Sequence, residues 1–241
     1  MPIPDHKNYP FSFCQIDIKK IDPSPFQHRK YFDEERLREL GASIVQDGLI
    51  EPIIVRQQQK DRFQLIAGER RLRAIKDYTD MTIIQAKIVV VHDLQARRIG
   101  AAENLLRQDL SAIESIEETI EIIDVEMAKE PEYLTVGKTP LERVHKLLSK
   151  IDSIRRSKER GSVVLETEKG LSNKYVGQVE SIFNNLPKPL KWQSFLMNDL
   201  ILLTDIPLIV QTASVRHGLN KAQTKALARL EKEPSALSEE P

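Results

Sequence analysis

Apolar positions follow two patterns along the chain. Up to about residue 91 they come in short runs between polar turns, and beyond it they recur every three or four residues. In the first stretch, Phe13 to Ile18 alternates as a half-buried strand does, and Ile21-Asp22-Pro23-Ser24-Pro25 ends it with turn chemistry. Leu37, Leu40, Ile44 and Val45 form a helical stripe between an Asp33 N-cap and Gly48. Ile50 to Arg56 and the run ending at Ala67 read as two strands turned at Gln57 to Asp61. A helix rich in arginine follows Gly68, and Ile83 to Val91 is a further strand rich in β-branched residues. The predicted order, strand, helix, strand, strand, helix, strand, is that of a compact α+β domain.

The second stretch predicts helices throughout. One covers Leu94 to Leu110, and Ser111 with Glu114 forms a capping box for the next. There Ile113, Ile116, Ile120, Ile123 and Met127 make one apolar seam expected in the core, while Glu117, Glu118, Glu121 and Asp124 form the other, acidic face. Thr139 caps a helix over Leu141 to Ile154. Gly170-Leu171-Ser172 reads as the turn of a helix-turn-helix, with Ser172 the N-cap of a recognition helix from which Asn173, Lys174 and Gln178 reach base edges. Trp192 to Leu203, Ile206 to Val215 and Gly218 to Leu230 follow as helices. The expected organisation is a flexible arm over 1–12, an α+β domain over 13–110, an all-α DNA-binding domain over 111–230 and a disordered tail over 231–241.

Bulk charge adds little, because 36 basic residues balance 36 acidic ones; a nucleic-acid face must come from local clustering. Lys138 to Arg160 is such a cluster, with eight bases against three acids. It makes Arg155, Arg156 and Lys158 candidate phosphate contacts. The single cysteine, Cys14, excludes an internal disulfide and a cysteine-built zinc site, and the five histidines lack metal-ligand spacing. No run approaches a membrane span and the N-terminus has no signal-peptide pattern, so a soluble, cytoplasmic protein is expected.

The candidate chemistry centres on Gly68-Glu69-Arg70-Arg71-Leu72-Arg73-Ala74. A strand that enters a helix through glycine puts unpaired N–H groups and the positive end of the helix dipole at one place. Three arginines in the first turns oppose that dipole, so a phosphate-bearing ligand is the economical reading. A solvated basic helix start, partly neutralised by Glu69, is the alternative.

This stretch resembles the Gly-Glu-Arg-Arg-x-Arg-Ala box of the ParB/Spo0J partition family. Three more segments resemble that family's motifs in order: Pro25 to Asp33, Gly48 to Arg56, and Glu103-Asn104-Leu105-Leu106-Arg107 through Glu114. The resemblance implies a ParB/sulfiredoxin-like α+β N-terminal domain followed by a helix-turn-helix-type domain. It implies a centromere-binding protein, working on a palindromic DNA site with a Walker-type ATPase, and a homodimer that closes as a clamp on binding CTP with Mg2+ and hydrolyses CTP slowly. By motif match, Gly68 to Ala74 (with Glu69, Arg70, Arg71 and Arg73) would hold the triphosphate, and Arg71 would be the most direct contact. Glu103 and Asn104 would sit at the magnesium and phosphates. Arg107 would gate the clamp or touch phosphate, Gln27 would orient the attacking water as the catalytic residue, and Arg29 would line the pocket.

The chain departs from the family in four places. Ser157 to Lys169 is longer than the helix usual before the recognition turn, Ala112 replaces a proline, and the first residues carry only Lys7 where an ATPase-stimulating arginine is usual. The chain also ends before the family's C-terminal dimerisation domain, so the expectation is either dimerisation by another route or a shortened sequence. Two other functions remain open, a transcriptional or nucleoid-associated regulator of the same fold and a nucleotide-dependent enzyme of the sulfiredoxin-like fold. The enzyme would require a cysteine where Glu69 stands.

Overall fold

The computed structural model describes residues 9–26, 31–160 and 166–232, with the side chains of residue 158, residues 166–174 and residue 232 left outside that description. The chain divides into two units, one running to Asn104 and the other from Leu105. The boundary thus falls six residues before the expected one at 110.

In the first unit, β1 (Phe11–Asp17), β2 (Ile21–Asp22), β3 (Ile53–Gln59), β4 (Arg62–Ala67) and β5 (Ile83–Val89) form one sheet in the order β1-β5-β3-β4-β2. β1 pairs antiparallel with β5, β3 and β4 form a hairpin, and β3 runs parallel to β5. Helices α1 (Glu34–Asp47) and α2 (Glu69–Tyr78) cover one face, and α3 (Asp93–Leu105) the other. This explains the unbroken run Ile53-Ile54-Val55. Ile53 and Val55 enter the core under α1 and α2, Ile54 the core under α3, and a strand covered on both faces has no solvent side. β1 begins at Phe11, two residues inside the expected arm, and β2 was too short to show as a pattern. Asp33 accepts the Arg36 N–H at 3.1 Å, as an N-cap does.

The second unit is helical: α4 (Ala112–Met127), α5 (Pro131–Thr135), α6 (Pro140–Glu159), α7 (Glu166–Asn184), α8 (Trp192–Ser194), α9 (Ile201–Thr204), α10 (Leu208–Arg216) and α11 (Lys221–Lys232). The Ser111–Glu114 capping box forms in full, and the seam from Ile113 to Met127 is buried. The acidic face departs from expectation, since Glu118, Glu121 and Asp124 are buried as well. Helix α4 is central, packed by α6, α7 and α10, and so has no solvent face. Asp124 is compensated there by two 2.8 Å bonds from Arg143 and one of 2.8 Å from the Tyr133 hydroxyl.

Two expected boundaries move. Gly170 to Ser172 lie within α7, so the chain does not turn there and Ser172 is not a helix start. The helix expected over Trp192 to Leu203 is interrupted by a π-helical turn at Phe195–Asp199. Of the expected tail, Glu231 and Lys232 continue α11, and residues 233–241 lie outside the described residues, as do residues 1–8 of the arm.

Candidate nucleotide site

β4 delivers the chain to Gly68, which adopts φ +99° and ψ 27° and caps α2 without a side-chain bond. That left-handed conformation favours glycine. Space demands it too, because a Cβ would lie 2.8 Å from Ile53 Cγ2 and 3.3 Å from Arg71 Nε. The first intrahelical bond is Leu72 N–H to Gly68 O, 3.0 Å. The amides of Glu69, Arg70 and Arg71 therefore lack helical acceptors and meet the positive end of the dipole.

The three arginines separate by role. Arg71 lies back along Gly68, with its side chain 16% exposed. Its Nη1 donates to the carbonyls of Glu51 (2.7 Å) and Pro52 (3.1 Å) and meets the Glu51 carboxylate at 3.0 Å. Its Nη2 stands 3.9 Å from Glu103 Oε1. Arg73 instead donates to Glu69 Oε1 at 2.7 Å and stacks on the Phe32 ring with its Cζ 4.1 Å from the centroid. Arg70 is half-buried on α2. Glu69 is buried, with Oε1 on Arg73 and Oε2 without a hydrogen-bond partner. Ala74, expected among the ligand contacts, is fully buried and belongs to the core under α1, so the motif uses it for packing.

Glu103 and Asn104 sit half-buried at the end of α3. A carboxylate and an amide oxygen suit Mg2+, which takes one or two protein oxygens and completes its shell with water and phosphate. Among the described residues no three His, Cys, Asp or Glu side chains converge, so a metal here would depend on ligand phosphates. Gln27 and Arg29 lie outside the described residues. Of the described residues beside them, Phe26 lies under Arg97 of α3 at 5.3 Å and Phe32 under Arg73 of α2. Sequence reasoning missed Glu51, Arg97 and the Phe32 contact. Aromatic residues flanking a polar loop were the only available signal, and nothing in the pattern marks Glu51.

Arg107 belongs to the helical unit, where it grips Asp109 Oδ1 at 2.8 and 3.0 Å. The basic cluster is less open than its composition suggested. Arg155 pairs with Asp152 (2.8 Å) and Glu159 (2.6 Å), and Arg156 pairs with Asp152 at 2.7 Å. Gln178 donates to Glu130 at 2.9 Å and its carbonyl oxygen is buried, so it faces the protein and not a groove. The side chains of Lys158, Ser172, Asn173 and Lys174 lie outside the described residues. No single helix among the described residues is long and apolar enough to cross a membrane.

Residues 7–105 match the family model of the ParB N-terminal domain. The chain is 46% identical over 99 residues to the probable chromosome-partitioning protein ParB of Campylobacter jejuni, which covers 41% of this chain and 35% of that protein. It is 40% identical over 100 residues to stage 0 sporulation protein J of Bacillus subtilis, covering 42% and 35%. With the nucleoid occlusion protein of Bacillus cytotoxicus it shares 34% identity over 146 residues, covering 59% and 50%. The matched region thus spans a third to a half of these curated relatives. A C-terminally truncated ParB from Caulobacter crescentus, solved with CTP-gamma-S, covers 92% of this chain and 98% of its own at 23% identity and a TM-score of 0.37, a likeness too slight to bear on the site.

Proposed function

From residues 7–105 as a ParB N-terminal domain, we propose that this protein is a partition-type DNA-binding protein whose sheet unit binds a nucleoside triphosphate, CTP with Mg2+, at the start of α2. The observation that carries the reading is the meeting of the Gly68 turn, the N-terminal end of α2 and the positioned Arg71 guanidinium. Amides and guanidinium would take phosphate oxygens, while Glu103 and Asn104 would hold Mg2+ against them. The metal would neutralise phosphate charge, and any slow hydrolysis would use Gln27 to orient water. Arg29 would line the same pocket.

The helical unit is the proposed DNA-binding half, a centromere-like site its target, and nucleotide the switch that closes a homodimer around DNA. In this reading the protein is cytoplasmic and associated with a nucleoid or plasmid, and a Walker-type ATPase is its partition partner. The similarity to nucleoid occlusion proteins favours a second reading, a nucleoid-associated regulator that uses the same nucleotide site without partition.

Calorimetric titration with CTP, ATP, GTP and UTP, each with Mg2+ and with or without DNA from the protein's own locus, tests the proposal. Selective CTP binding that strengthens with that DNA is expected. DNA binding with no response to any nucleotide would reduce the protein to a static adaptor.

A further inference from the structure

Two kinds of group hold the Arg71 guanidinium. The carbonyls of Glu51 and Pro52 accept from Nη1 at 2.7 and 3.1 Å, and they orient the cation without cancelling its charge. The Glu51 carboxylate reaches the same nitrogen at 3.0 Å, and it does cancel charge. The partners differ in freedom: the Glu51 side chain is 81% exposed, whereas Arg71 is 16% exposed and runs beside Gly68. The carboxylate can turn into solvent while the guanidinium stays in place on the backbone carbonyls. An anion arriving at the α2 N-terminus therefore meets an arginine already aimed and already claimed.

We propose that Glu51 is an autoinhibitory latch on this site, a carboxylate that occupies Arg71 in place of a ligand phosphate and is displaced when a polyphosphate binds. The inference rests on the reading of Gly68 to Arg71 as a phosphate site, and deepens it by naming the residue that sets its affinity threshold. An ion pair whose carboxylate side chain is 81% exposed is weak enough for the latch to open readily. The carboxylate also repels the arriving ligand in proportion to its charge. Glu51 thus lowers affinity most for the most highly charged nucleotide, and Arg71 supplies whatever binding survives.

The test is Glu51→Gln, which keeps the side-chain size and both backbone carbonyls. CMP, CDP and CTP with Mg2+ are titrated into the wild type, E51Q and R71A. E51Q is expected to bind CTP about three- to tenfold tighter than the wild type, with a gain that shrinks from CTP to CMP. R71A is expected to lose binding. E51Q with unchanged or weaker affinity, beside a defective R71A, would overturn the latch and leave the site standing. Equal CTP affinity in R71A and the wild type, or binding by none of the three, would remove the site and the latch together.

Discussion

Gly68 carries two constraints, a backbone conformation that disfavours side chains and a van der Waals limit against Ile53. Gly68→Ala is expected to cost about 2–4 kcal/mol, combining the left-handed penalty with overpacking. Chemical denaturation would read it, and a loss below 1 kcal/mol would show that the turn relaxes freely. The turn at Gly68 was legible in the sequence, because an apolar run ending at glycine before strong helix formers reads as a strand entering a helix. The division of labour among the arginines was not. Arg73 is held by Glu69 and a ring 41 positions earlier in the chain, and Arg71 by carbonyls 20 and 19 positions away. Local spacing encodes none of these partners. The burial of Ala74 was hidden for the same reason, since only the packing of α1 on α2 shows that it is core.

Among the elements, α4 shows where periodicity reads well and where it misleads. Its isoleucine seam and capping box were both visible, but three-to-four spacing cannot tell a half-buried helix from one buried all round. Buried Asp124 is tolerable because partners arrive from α5 and α6: the Tyr133 hydroxyl and the Arg143 guanidinium converge on it. Burial, and then the nearby Asp124 charge, raise the Tyr133 pKa above its ordinary value. The folded state thus holds the phenol protonated where the unfolded chain, at about pH 10, releases the proton. The stabilisation is complete below about pH 10 and is lost as pH rises above it, with a slope of up to about 1.4 kcal/mol per pH unit. Tyr133→Phe is expected to lower stability at neutral pH and to flatten that alkaline limb in pH-dependent unfolding. Parallel limbs in the two proteins would dissociate Tyr133 from it. The misplaced turn at Gly170 has a similar origin: glycine followed by serine is strong turn chemistry, yet α7 runs through both.

At the scale of the whole molecule, the two halves differ in how far the sequence described them. The sheet unit was readable almost throughout, because its strands are short, bounded by turns and tied to four motifs in order. In the helical unit helix type was readable, but function was not. The arginines chosen for DNA contact are paired with Asp152 and Glu159, and Gln178 with Glu130. Charge counted along a helix does not reveal which charges are already satisfied by its neighbours.

The central claim is that the start of α2 binds a nucleotide through Arg71. Its most direct test is calorimetric titration of CTP with Mg2+ into the wild type and Arg71→Ala, with thermal unfolding of both as the control for folding. A loss of CTP affinity of about a hundredfold or more is expected in the variant, the scale of removing a charged hydrogen-bonding partner from a phosphate, with the sheet unit still folded. Equal affinity in two folded proteins would contradict it.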